Sequence, residues 1–99
     1  MAEYTYDGTV LRDSLGRKMG EIDRTFVRGW NAALLGQIDR KSIRDYNGKK
    51  LLDFDGKVLK DDLGKKVASM KDIQALIDGD PDIGMAAAWY FLIKKQQAN

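Results

Sequence analysis

The chain has 99 residues, 32% of them charged, with 17 basic against 15 acidic side chains and a formal net charge of +2. That length suits one domain with a modest core, and the interspersed signs lack the concentrated positive charge of a typical nucleic-acid binder. Cysteine and histidine are both absent, which excludes a disulfide framework, a thiolate metal site, a cysteine nucleophile and the commonest general base.

In chain order, the opening MAEYTYDG has no basic region followed by an apolar run, so no signal peptide is expected. The expectation is a soluble cytoplasmic domain. From Thr9 onward the sequence repeats. Four units of sixteen residues align without a gap: TVLRDSLGRKMGEIDR (9–24), TFVRGWNAALLGQIDR (25–40), KSIRDYNGKKLLDFDG (41–56) and KVLKDDLGKKVASMKD (57–72). The third position is aliphatic (Leu11, Val27, Ile43, Leu59), the fourth basic (Arg12, Arg28, Arg44, Lys60) and the eighth tiny (Gly16, Ala32, Gly48, Gly64). The eleventh holds Met19, Leu35, Leu51 and Val67, and the fourteenth Ile22, Ile38, Phe54 and Met70. Those twelve apolar residues are the expected core.

Sixteen residues are too few for a helical-repeat unit and right for one β-hairpin with its turns. Asp13–Gly16, Asp45–Gly48 and Asp61–Gly64 read as turns opened by an acid and closed by glycine at positive φ. Asp7-Gly8 and Asp55-Gly56 are two-residue hairpin signals, with Asp23-Arg24 and Asp39-Arg40 in the matching places. YTYDGTVL (4–11) matches LDFDGKVL (52–59), so the N-terminus contributes half a unit. About nine short strands over residues 3–70 are expected, in an uninterrupted up-and-down order. A hairpin cannot bury its apolar stripe alone, whereas four equivalent hairpins about an axis bury all four stripes together. Gly20, Gly36 and Ala68 suggest close backbone approach near that axis; Leu52 breaks the row.

Four tandem hairpins of the pattern aliphatic–basic–Asp–x–x–Gly, followed by a short helical tail, resemble the small bacterial proteins called four-fold β flower proteins. The resemblance covers about residues 4–72 and rests on the repeat register. It implies a fold and no activity, cofactor or catalytic residue. The expected class is therefore mainly β with a C-terminal α-helical tail, its four pseudo-symmetric hairpins forming an up-and-down meander. A small closed eight-stranded barrel is the structural alternative. Residues 1–72 form the repeat region, and residues 73–99 a tail packed on it within one domain.

In the tail, Asp72 is placed to cap a short helix over 73–78, with Ile73, Leu76 and Ile77 on one face and Gly79 ending it. Asp80-Pro81 opens a second helix over about 81–95, with Lys94 and Lys95 at its negative end. From Ile83 to Ile93 this helix has no polar face. One side covers the hairpins, and Met85, Trp89, Phe91 and Leu92 are the candidates for a face left exposed in a monomer. Such a patch marks an interface, so a homodimer or other homo-oligomer is expected, with Ala86, Ala87 and Ala88 permitting close helix approach. The rival is a helix buried on all sides within one chain. Its eleven-residue apolar run falls short of the roughly twenty that a membrane span needs.

Three other features bear on function. Arg12, Arg28, Arg44 and Lys60 could ring an anion, against the blander pairing of each with a strand or turn carboxylate such as Asp13, Asp45 or Asp61 on the solvent face. Trp30 and Tyr46 share one repeat position at turn tips, where they are either partner contacts or, the favoured placement, folded back over the end of the core. DFDGKVLKDD (53–62) echoes a calcium loop at Asp53, Asp55, Gly56, Val58 and Asp62, but Leu51 stands where the first ligand belongs, so no metal is expected. No cofactor motif and no catalytic constellation is present, and an enzyme is not expected. The expected function is a non-enzymatic structural or protein-interaction module, self-associating through the C-terminal helix. The alternative is a weak single-stranded nucleic-acid or anion-binding β domain: basic residues exceed acidic ones by about four over 1–71, though acids alternate with them in each unit.

Overall fold

The structure, a computed structural model, describes residues 2–95. Nine strands follow the chain: β1 (Tyr4–Tyr6), β2 (Val10–Arg12), β3 (Lys18–Asp23), β4 (Phe26–Gly29), β5 (Leu34–Asp39), β6 (Ser42–Asp45), β7 (Lys50–Phe54), β8 (Val58–Asp61) and β9 (Lys66–Ser69). Then come a helix, α1 (Met70–Leu76), a two-residue strand, β10 (Ile77–Asp78), and a helix, α2 (Ile83–Ala88), which continues as a π-helical segment over Trp89–Lys94. All ten strands belong to one sheet in the order β10-β1-β2-β3-β4-β5-β6-β7-β8-β9. Neighbours are antiparallel except β1 and β10, which run parallel.

Local chemistry explains the meander. Asp13 accepts the amide protons of Leu15 and Arg17 on one carboxylate oxygen while its carbonyl accepts from Gly16. Asp45 does the same for Asn47, Lys49 and Gly48, and Asp61 for Leu63, Lys65 and Gly64. Gly48 and Gly64 lie at φ of 90° and 81°, where a side chain is strained. At the other set of turns Asp7 and Asp55 each bind two following amides, while Arg24 and Arg40 take up positive φ without being glycine. A register shift recurs at Leu11/Arg12, Val27/Arg28, Ile43/Arg44 and Leu59/Lys60. The same amide-to-carbonyl bond also recurs at sixteen-residue steps, from Ile22, Ile38, Phe54 and Met70 to Thr9, Thr25, Lys41 and Lys57.

The sheet is not closed, which corrects the barrel alternative. Ser69 ends β9 by capping α1: its hydroxyl accepts from the Asp72 amide and the Asp72 carboxylate accepts from the Ser69 amide. The chain thus leaves the sheet as a helix, and β9 and β10 remain separate edges. The first helix therefore spans 70–76 rather than 73–78, and Asp72 lies inside it while Ser69 is the cap. Ile77 and Asp78 are instead strand residues, paired with Tyr4 and Thr5. The second helix starts after Asp82, whose carboxylate accepts the Met85 amide, one residue beyond Pro81.

Leu11, Val27, Ile43 and Leu59 are fully buried, and Ile22, Phe54 and Met70 nearly so. Met19, Leu35, Leu51 and Val67 are only half-buried, as is Ile38. The row that faces the interior is the next one, Gly20, Gly36, Leu52 and Ala68, because alternate residues of a strand point to opposite faces. The helix fills the interior, packing against β3 and β5. A Cβ on Gly20 would lie 2.6 Å from a Leu92 methyl, and one on Gly36 would overlap the Phe91 ring. On β7 the corresponding residue is Leu52, which is buried and supplies the bulk that the two glycines omit.

Leu59→Ala should lower stability by about 2–5 kcal/mol, and Leu51→Ala by less than about half as much, since only part of its surface leaves water. Urea unfolding of the two variants checks the order; equal losses would reject this placement of the two rows. Gly36→Val should cost about 1–3 kcal/mol or more by overpacking against Phe91, read as a lowered thermal midpoint.

Candidate functional site

An up-and-down meander sends its turns alternately to two ends. The turns β2–β3, β4–β5, β6–β7 and β8–β9 lie at one, here the turn end. The turns at Asp7, Asp23, Asp39 and Asp55 lie at the other, with the start of α2 beside them: Asp82 and Ile83 share a cleft with Arg40, Lys41, Phe54 and Asp55. The helix runs the length of the interior and emerges at the turn end, where Leu92 lines a cleft with Trp30, and Lys94 one with Lys49 and Lys66.

Each of the four turns at that end carries one large apolar side chain in water. Leu15 is 75% exposed, Trp30 73%, Tyr46 62% and Leu63 83%. The expectation that Trp30 and Tyr46 fold back over the core is thus corrected. The core end is already covered by buried Phe91, Leu92 and Ile93, and a tight turn directs its central side chains away from the sheet. Leu15 and Leu63 were not singled out from the sequence. The apolar tip residue is the sixth of its unit in two hairpins and the seventh in the other two, so a comparison position by position does not line the four up.

The basic row serves the turns themselves. Arg12, Arg28 and Arg44 each donate from Nη1 to the carbonyl of the small residue closing their own turn, Gly16, Ala32 and Gly48, at 3.1, 3.0 and 2.9 Å. Arg28 Nε also lies 3.6 Å from Asp23 and Arg44 Nε 3.4 Å from Asp39; the latter contact is ionic, without a hydrogen bond from that nitrogen. Lys60 is exposed and makes no ion pair among the described residues. Each arginine thus braces its own turn. Arg28 and Arg44 pair with the strand-end carboxylates Asp23 and Asp39, while of the three aspartates named as examples Asp13 pairs with Arg17 at 2.9 Å, and Asp45 and Asp61 spend a carboxylate oxygen on turn amides.

The helix face proposed for self-association is corrected as well. Met85, Phe91 and Leu92 are buried within one chain, as are Ala86, Ala87 and Ala88, and Trp89 is half-buried. The glycines at 20 and 36 let the sheet take the face expected to meet a second copy. In the stretch that echoes a calcium loop, Asp55 is bonded to the Lys57 and Val58 amides.

Two electrostatic features stand out. Turn amides hold carboxylates below their ordinary range, chiefly Arg17 for Asp13, Val10 for Asp7 and Lys57 for Asp55. At the far end, burial, with the charges of Asp82 and Asp7, pushes the Tyr6 hydroxyl up to about 12. That hydroxyl donates to the Gly8 carbonyl at 3.1 Å. Among the described residues no helix is long and apolar enough to cross a membrane.

Comparison with family models, curated proteins and solved structures found no match for this chain.

Tyr6 sets a pH expectation. Its folded-state value, about 12, lies above the ordinary 10, so the unfolded chain loses that proton first and stability falls as pH rises through this interval. Tyr90, also raised by burial, contributes in the same sense, so Tyr6→Phe should make the fall between these pH values shallower while costing the Gly8 hydrogen bond at neutral pH. Thermal midpoints of both proteins against pH check it, and parallel curves would reject the assignment to Tyr6.

Proposed function

We propose that this protein is a non-enzymatic binding module that works through the turn end of its sheet. The observation that carries this reading is the four exposed tip side chains, Leu15, Trp30, Tyr46 and Leu63. Each stands on a turn whose backbone is already held by an aspartate or asparagine side chain, so none is needed to cover the core. Large apolar side chains fixed in water at one end of a small domain are a contact surface. We read the four units as pseudo-equivalent hairpins about the buried helix, the arrangement of the four-fold β flower proteins. The support is the recurrence of turns, register shifts and interstrand bonds at sixteen-residue steps. With the helix face buried, association of copies through it loses its basis, and the partner surface moves to the tips.

A second reading, single-stranded nucleic-acid binding, is favoured by Trp30 and Tyr46 standing exposed on adjacent hairpins near Arg17, Lys18, Lys49 and Lys50. Aromatic stacking beside cations is how small β domains hold single strands, and a labelled oligonucleotide would then shift with steep salt dependence.

The tips should be dispensable for folding. Replacing Leu15, Trp30, Tyr46 and Leu63 together by serine should change stability by no more than about 0.5 kcal/mol per site, leaving the thermal midpoint within a few degrees. A cooperative loss of several kcal/mol would make the tips structural and defeat the reading.

A further inference from the structure

We infer that the turn end docks on an anionic lipid bilayer surface, its four tip side chains entering the headgroup region while the cations around them meet lipid phosphates and carboxylates. The inference rests on the reading of the turn end as the working surface and names its partner.

Charge is separated along the molecule although the net charge is small. The four turn-end segments, residues 12–18, 28–34, 44–50 and 60–66, hold ten basic and four acidic side chains, and Lys94 and Lys95 leave the helix at the same end. The far end, residues 7–9, 23–25, 39–41, 55–57, 71–74 and 79–82, holds seven acidic and five basic ones, while Asp78 pairs with Thr5 at the level of Arg12. The turn-end acids are largely internal to the turns: Asp13, Asp45 and Asp61 bind backbone amides. By contrast, Lys49, Lys65 and Lys66 are exposed and make no ion pair among the described residues. Lys49, Lys50, Lys66 and Lys94, with Asp61 and Asp62, line a cleft of about 520 Å³ between hairpins, open to an anionic headgroup. Each lysine near an anionic leaflet contributes about 1 kcal/mol to binding.

The tips suit lipid for a separate reason. Immersing a backbone amide that lacks a partner is costly, and the tip amides have partners: Leu15, Gly16 and Arg17 in the first turn, Asn47, Gly48 and Lys49 in the third, Leu63, Gly64 and Lys65 in the fourth. What enters the headgroups is an apolar side chain on a closed turn. Leu15 and Leu63, more exposed than either aromatic, gain from acyl chains and nothing from stacking on a base, so lipid accounts for all four tips where a single strand accounts for two. A second copy meeting tip to tip would oppose two positive ends.

The test is co-sedimentation of the full chain with phosphatidylcholine vesicles, with and without phosphatidylserine. The protein should sediment with the mixed vesicles alone and release on adding salt. Leu15→Ser with Leu63→Ser should weaken binding at least about tenfold, and Lys49→Gln with Lys65→Gln about fivefold per lysine; all four sites are exposed, so circular dichroism should show both variants folded. In a Trp89→Phe background, Trp30 emission should shift to shorter wavelength on anionic vesicles. Absence of binding, or binding unchanged in the leucine variant, overturns the inference. If the tip variants then alter affinity for a single-stranded oligonucleotide, the turn end stands as a binding surface and lipid is the wrong partner. If they alter neither, the turn-end reading falls with it.

Discussion

The contact of Leu92 and Phe91 with the bare backbone of Gly20 and Gly36 decides how this chain buries its core. A hairpin has two faces and one apolar stripe, and four hairpins in a row offer four stripes with nothing to lie against. The C-terminal helix, apolar on every side from Ile83 to Ile93, is the complementary object. It cannot be stable in water alone, and the sheet cannot be stable without something to cover. Two missing side chains on β3 and β5 allow the helix to approach there, while Leu52 occupies the corresponding place on β7. The buried alanines at 86–88 serve the same close packing within one chain that small residues would serve between two.

Because the helix supplies the core, the turns are released from packing duty. Each is closed by its own short-range chemistry: a carboxylate or amide oxygen accepts amides, a small residue takes positive φ, and in three of the four at the turn end an arginine grips the closing carbonyl. Such turns hold their shape without help from the side chains at their tips. That independence lets leucine, tryptophan and tyrosine stand in water at the tips, and it gives those residues their functional interest.

The direction of the helix adds a polarity that the sheet alone lacks. Its start is placed by Asp82 at the far end, beside Arg40, Lys41 and Asp55, and its last described residues bring Lys94 and Lys95 to the basic turn end. A net charge of +2 thus conceals two ends of opposite sign. At distances beyond about 10 Å this separation is screened by physiological salt, so its effect falls on a partner held close to the surface.

The sequence by itself determined the strands, the turns and the order in which they pair. Each of those depends on residues within a few positions of one another, and the sixteen-residue period repeats the signal. It also marked Gly20 and Gly36 as sites of close approach. Three matters were decided only by the tertiary structure. One is which of two adjacent strand rows faces inward: the expected core row of Met19, Leu35, Leu51 and Val67 is only half-buried, because Leu51 and Leu52 are equally apolar and only the helix distinguishes their sides. Ile77 and Asp78 continue a helical pattern locally, yet pair with β1 because Ile77 gains burial beside Tyr4 that one more helical turn would deny it. The wholly apolar helix announced a need for two covered faces, but whether a second chain or the sheet covers the second face depends on contacts some seventy residues apart in the chain, between β3 and Leu92, and no local signal carries that information.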